Sequence, residues 1–401
     1  MLCYPLSKTA RVRGGGVLLV LVVGMALWWL WPTRALVATH TEEVPIAAVA
    51  VRDPHELVVA GTHAGELLLW QPLRDEAPPI RIAAHGSEVR ALALSPDGQH
   101  LVSGDHLGTI ILWDVQHHQT LTQRATYHLT QQTFVESFEQ PRRPFWSIIE
   151  TIRFSRDGAL VAISGAEGQV LIVEVATGMV RHSLRVPEIA SDPVQYQRIM
   201  QVAFDQAGTR LGTGTIDNQI SLWDVASGDL LVQWSPWDSA PTRALHFYPT
   251  NEDIVLVTQN ETSIWSTTTQ QRRWSGDIAA FDVPAMVFHP QQHVLARAGP
   301  SYAGTFTSGL PLIGQPDGMI YLERLNPDRL HNQEGLCRIP DPKTQQVRSF
   351  SPCPQVETLQ RLRGHRNVIL DVAFSADGQW LVSGSRDQTV RLWRVDVPTE
   401  R

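Results

Sequence analysis

The chain has 401 residues, 43% of them hydrophobic and 18% charged, with a net charge of −7. That balance excludes a disordered chain, which lacks the apolar surface needed to fold. It also excludes broad binding to nucleic-acid phosphates, which needs a basic footprint.

Residues 14–33 carry no charge and read GGGVLLVLVVGMALWWLWPT. A helix of that length rises about 30 Å, one hydrocarbon core. Trp28, Trp29 and Trp31 crowd its far end, where a membrane-interface aromatic belt sits. Lys8, Arg11 and Arg13 precede the segment, and only Arg34 follows closely. The positive-inside rule then predicts a short cytoplasmic N-terminus, residues 1–13, and places the rest on the non-cytoplasmic side, periplasmic or extracellular. A cleaved secretory signal shares the basic start and apolar run, and a buried soluble helix is a third reading. The bulky Trp-Pro end and the poor small-residue patterns at Thr33, Ala35, Leu36 and Ala38 favour an uncleaved, single-pass signal-anchor.

Residues 92–115 (LALSPDGQHLVSGDHLGTIILWDV) and 372–395 (VAFSADGQWLVSGSRDQTVRLWRV) agree at 13 of 24 positions without a gap. Self-similarity on this scale marks a repeat architecture. In the later copy, residues 369–374 alternate as a half-buried strand. Residues 375–378 form a turn whose glycine supplies a positive φ. Residues 380–383 and 389–395 are the next strands, and 358–362 is the fourth, placed in front by order. Weaker copies bring the total to seven: 46–70, 89–115, 149–175, 199–225, 243–266, 285–325 and 369–395. Their third strands are anchored at Trp70, Trp113, Val173, Trp223, Trp265, Glu323 and Trp393, spaced 42 to 70 residues apart. Short strands with frequent turn signals predict an all-β fold. The last unit stops at its third strand. Residues 35–39 (ALVAT) are expected to supply the missing closing strand, which removes an open edge and leaves no flexible tether between anchor and repeats.

The LWDV closures at 112–115 and 222–225, and Gly364-His365 ahead of the last unit, resemble the WD-repeat β-propeller family. The resemblance covers roughly residues 35–395. It implies a seven-bladed β-propeller over 35–397, with four-stranded antiparallel blades, following the transmembrane helix. It also implies a buried network in each blade. In unit seven this is His365, Ser383, Asp387 and Trp393. Unit four keeps Thr213, Asp217 and Trp223 without a histidine. Unit two keeps His85, Ser103 and Trp113, with Leu107 where the aspartate belongs. Val173 and Glu323 replace the tryptophan in units three and six.

Insertions fall at 116–147, 187–198, 299–316 and 326–356, and irregular loops on repeat scaffolds often carry function. Arg142, Arg143, Phe145 and Trp146 combine residue types favoured at interface hot spots, which makes them a candidate partner contact. The competing reading is a solvated loop whose tryptophan packs on a blade. Cys337 and Cys353, sixteen positions apart, are a candidate disulfide if the ring is exported, worth about 3 kcal/mol by loop closure. Two unpaired thiols are the alternative. Adjacent His117 and His118 do not make a metal site. Asp97, Asp157 and Asp377 precede glycine as turn formers.

No phosphate-binding loop, nucleophile elbow or HExxH helix occurs, so no catalytic residue, cofactor or metal is assigned. The first strands, which would line a central channel, hold few ionisable residues: Arg153, His246 and His289 among them. The reading is a membrane-anchored, non-catalytic interaction scaffold or accessory subunit. It would bind other proteins of a membrane-associated complex and no nucleic acid. The alternatives are a small-ligand sensor or enzyme using the central channel, and signalling across the membrane.

Overall fold

The computed structural model describes residues 35–397 except 75–76, 117–119, 130–147, 166–167, 188–197, 237–240, 248–251, 259–261, 277–284, 293, 300–317, 326–336, 341–346 and 351–355. The anchor reading of 14–33 lies outside the described residues. Among the described residues no helix is long and apolar enough to cross a membrane.

Seven four-stranded antiparallel sheets follow one another along the chain. Their first strands are Ile46–Val51, Val89–Leu94, Ile149–Phe154, Ile199–Phe204, Thr242–Phe247, Met286–Phe288 and Ile369–Phe374. Each touches the first strand of the next sheet, and the seventh touches the first, so the seven inner strands form a closed circle around an axis. The sheets are therefore the blades of a propeller.

The alternation within the strands explains the packing. In blade one, Ala48 and Ala50 face blade two and meet Val89 and Leu92. On the other side Ile46, Val49 and Val51 face blade seven and meet Val382 and Leu392. Both faces of each blade are thus buried, and apolar clusters alternate with sheets around the ring. This is how repeats too small to fold alone build one continuous core.

The sequence repeat and the blade are offset by one strand. Val356–Arg363, which contains the strand read in front of the last unit, is the outer strand of blade six, paired with Met319–Leu325. Blade seven takes its outer strand from the other end of the chain: Leu36–Thr41 pairs antiparallel with Thr389–Arg394. Part of the stretch read as the 116–147 insertion is regular structure, since Thr120–His128 is the outer strand of blade two. Its sequence, TLTQRATYH, lacks apolar alternation because an outer strand buries little. Within the 326–356 insertion, Cys337–Pro340 and Val347–Phe350 pair as a short hairpin, while Cys353 lies outside the described residues.

Candidate functional site

Blade seven shows how the repeated polar residues are used. Trp393 lies opposite Leu381, and Ser383 sits on the adjacent diagonal. The indole Nε1 donates to Ser383 Oγ at 2.8 Å, and that oxygen lies 2.6 Å from His365 Nε2. His365 Nδ1 faces Asp387 Oδ2 at 3.0 Å. One arrangement satisfies all three contacts. The serine, receiving the indole proton, donates to Nε2, and Nδ1–H donates to the carboxylate, so the imidazole is neutral. Burial pushes His365 below its ordinary value against the pull of Asp387. For Asp387 burial acts upward, but hydrogen bonds from His365, Thr389 and the Arg366 N–H hold the carboxyl well below the usual carboxylate range. A Cβ at Gly364 would come within 2.3 Å of Arg391 Nη1, so a larger residue beside this histidine would displace the end of the Arg391 side chain.

Serine, histidine and aspartate in this order have the connectivity of a hydrolytic triad. Ser383 is fully buried and its oxygen already accepts the indole proton, so no substrate carbonyl can reach it. The group is a structural tie between the second and third strands.

Blade two repeats the tie, with Trp113 Nε1 donating to Ser103 Oγ at 2.8 Å and His85 Nε2 lying 2.7 Å from that oxygen. Leu107 occupies the aspartate's sequence position, but Asp105, two residues earlier, brings Oδ2 to 3.5 Å from His85 Nδ1. In blade four Trp223 bonds Thr213 at 3.3 Å, while Asp217 accepts from Thr215 and does not join the tryptophan. Trp265 in blade five turns instead to Ser263 on its own strand, at 2.9 Å.

Blade six departs furthest. Glu323, in the tryptophan position, lies opposite Leu295, and Arg297 takes the place of the serine on the same diagonal. The two form a buried bidentate ion pair at 2.7 and 3.1 Å, with the guanidinium 4.8 Å from the Tyr321 ring. In blade three the same diagonal is Ile163 and Val173, wholly apolar.

Two surfaces of the ring stand out for contact with other molecules. One is the bore. Alanine fills many inner-strand positions, and Asp371 and Arg153 are charged residues among them. Asp371 on blade seven accepts from the backbone N–H of Val49 in blade one at 2.8 Å and of Val372 at 2.9 Å. Arg153, on blade three, interacts electrostatically with it across the axis. Burial pushes the Asp371 carboxyl up to about 6, despite the opposing N–H groups and the charges of Arg153 and Arg90. Among the described residues no three His, Cys, Asp or Glu side chains converge as a metal site.

The other surface is one end of the ring. Six inner strands break register at the same step, as between Ile149 and Thr151 or Ile199 and Gln201. The residues pushed out there are Ala47, Arg90, Glu150, Met200, Arg243 and Leu370. Glu150 is paired with Arg198. The turns between second and third strands open at this same end, with Leu107 and Ile216 exposed. Three of the four insertions attach here. Residues 130–147 and 188–197 lead into inner strands, and 300–317 join the second and third strands of blade six. Arg142, Arg143, Phe145, Trp146 and the His117-His118 pair lie outside the described residues.

The family described as WD domain, G-beta repeat matches residues 78–114 and 356–394, each running from an outer strand through the next blade. The chain is 34% identical to Ribosome biogenesis protein bop1 of Danio rerio over 114 residues, 27% of this chain and 13% of that protein. It is 43% identical to WD repeat-containing protein 18 of Rattus norvegicus over 63 residues, 16% of this chain and 14% of the other. With Transcriptional repressor tup12 of Schizosaccharomyces pombe it shares 46% over 39 residues, 10% and 6% of the two chains. The aligned part thus spans a small fraction of each of these relatives. A chain in the crystal structure of a mitotic checkpoint complex superposes with a TM-score of 0.63 at 14% identity, over 99% of this chain and 97% of that one, which establishes shared fold alone.

Proposed function

We propose that this WD40-repeat β-propeller is a non-catalytic platform that presents its insertion-bearing end to other proteins while residues 14–33 hold it at a membrane, with the ring on the non-cytoplasmic side. The observation that carries the platform reading is topological. Three of four insertions attach at the end where bulged inner strands expose Arg90 and partly expose Met200 and Arg243 around the bore. Variable segments held on a rigid frame are where binding residues concentrate. The coarse reading also follows from the WD40-repeat family, in which propellers bind proteins. Anchoring is supported by the uncharged run 14–33 and by the excess of Lys8, Arg11 and Arg13 before it.

The test is crosslinking and co-purification of the full chain from its native membranes. Replacing residues 131–146 with a short Gly-Ser link spares the outer strand Thr120–His128, so the ring should stay folded while the partner is lost. Retention of the full partner set by that variant would move the contact elsewhere. Release of the chain by alkaline carbonate would refute the anchor.

A further inference from the structure

The exposed apolar side chains of the outer wall gather in two places, on blades three and four at Met179, Val180, Leu230 and Leu231, and where blades seven and one meet. Val37, on the outer strand of blade seven, and Ile80, which opens the outer strand of blade one, are each 43% exposed. These strands are neighbours where the ring closes, since Glu42 at the end of one is paired with Arg81 on the other. Between them lies a groove of about 510 Å³, lined by His40, Trp70, Pro72, Leu73 and Pro78 among others. The His40 and Trp70 rings stand 5.9 Å apart.

Val37 is displaced outward because the closing strand skips from Leu36 to Ala38 in its pairing with Trp393 and Leu392. The same skip occurs in the outer strands of blades two to six, where the displaced residues are Arg124, Arg181, Leu231, Arg273 and Leu359 in turn. An arginine there suits water; a valine beside an exposed isoleucine does not. At the junction, as in blade four, the displaced residue is apolar and exposed, whereas in blades two, three and five it is cationic.

Chain continuity says what lies opposite. Trp31 is five residues before Leu36, a reach of at most about 18 Å. Leu36 pairs with Trp393, so the chain enters blade seven at the end of the sheet where Trp70, the equivalent residue of blade one, leads into the groove-lining turn. Whatever surface holds the apolar run ending at Trp31 is close to this groove. Aromatic and imidazole rings, with one apolar and one polar edge, are suited to the boundary between lipid and water. Local charge among the described residues is balanced, with Arg74 and Arg81 set against Glu42 and Glu66, which favours neutral lipid over anionic lipid.

We propose that the junction of blades seven and one is a lipid-contacting rim, with Val37, Ile80 and the Trp70 groove resting in the headgroup zone of a zwitterionic bilayer. This rests on the membrane-anchored reading of residues 14–33. The test uses the full chain with Cys3, Cys337 and Cys353 changed to Ser and a single reporter cysteine, Ile80→Cys or Met179→Cys. Met179 is an exposed apolar control on blade three, across the ring. Each variant carries a fluorophore and is reconstituted into phosphatidylcholine vesicles containing a spin-labelled lipid. The expected result is quenching several-fold stronger at position 80 than at 179, unchanged by added salt or phosphatidylserine and reduced by Val37→Asp. Equal quenching, stronger quenching at 179, or contact only with phosphatidylserine overturns the rim while leaving the anchor intact. A fluorophore at 80 shielded from water yet unquenched by lipid means that protein covers the groove, and also overturns it. Failure of the chain to float with vesicles overturns rim and anchor together. Hydrogen exchange on the unmodified chain checks the result independently: amides of 37–40 and 77–81 should slow in vesicles relative to detergent, and those of 179–182 should not.

Discussion

Blades six and seven stand side by side and solve the same internal problem with different chemistry. In blade seven an indole N–H reaches a serine that a neutral histidine also holds. In blade six a guanidinium and a carboxylate meet on the same diagonal. Blade three does without any polar contact there. What the fold requires at this position is a filled volume with no polar atom left over; the identity of the link is free. The choice matters for robustness. A neutral hydrogen-bonded tie contributes about 1 kcal/mol net, and replacing one partner costs the desolvation of the other. A buried ion pair contributes little against an apolar replacement, but removing one member strands a charge.

The sharpest way to break this comparison is Glu323→Ala, which leaves Arg297 buried without its carboxylate. It should cost roughly 3–5 kcal/mol, read as a fall in the urea midpoint, whereas joint replacement of Arg297 and Glu323 by Leu should be close to neutral. Ser383→Ala should cost about 1–3 kcal/mol, because Trp393 Nε1 and His365 lose their shared partner. If Ser383→Ala were as damaging as Glu323→Ala, the distinction between the two blades would fail.

Blade seven also contains its own contrast, between Asp387 and Asp371. Asp387 is held below the usual carboxylate range, so its contribution is present at neutral pH and is lost as pH falls through its unfolded value toward the lower folded one. Asp371 is raised to about 6, so the folded state binds its proton more tightly than the unfolded chain does. Stability from this group is greatest below pH ~4 and falls as pH rises toward 6. Asp371→Asn keeps an acceptor for the Val49 N–H and removes the charge. It should raise stability at pH 7.5 by about 1–3 kcal/mol and have no effect at pH 4, measured by urea unfolding at both pH values. Equal effects at the two pH values would sink the assignment. The smallest change is expected in blade four, where the Trp223 to Thr213 bond is 3.3 Å long. Thr213→Val should cost about 0.5–1.5 kcal/mol.

The features legible in the sequence were those that recur by residue type. The seven units and the Trp393, Ser383, His365 and Asp387 positions could be read because the same letters return at the same spacing. Glu323 was visible as a departure, but its partner Arg297 was not, since the pairing is recognised only once the serine's diagonal is searched for any complementary group. Asp105 was missed because it serves from two residues before the usual place, with Leu107 in the vacated position. Asp371 is a single charge in an otherwise apolar strand, and only the closed circle shows that it faces a neighbouring blade and Arg153. The outer strand at 120–128 was hidden by its polarity. The end of the ring at which insertions attach required the strand directions.

The pairing of Leu36 with Trp393 has a consequence for the order of assembly. These residues are separated by nearly the full length of the chain, so this contact carries the largest loop-closure entropy of any in the sheets. During synthesis the N-terminal strand emerges first and must wait, unpaired, until the final strand is released. Any chain cut short before residue 389 leaves a permanently open spiral with two bare edges, a species prone to joining its neighbours edge to edge.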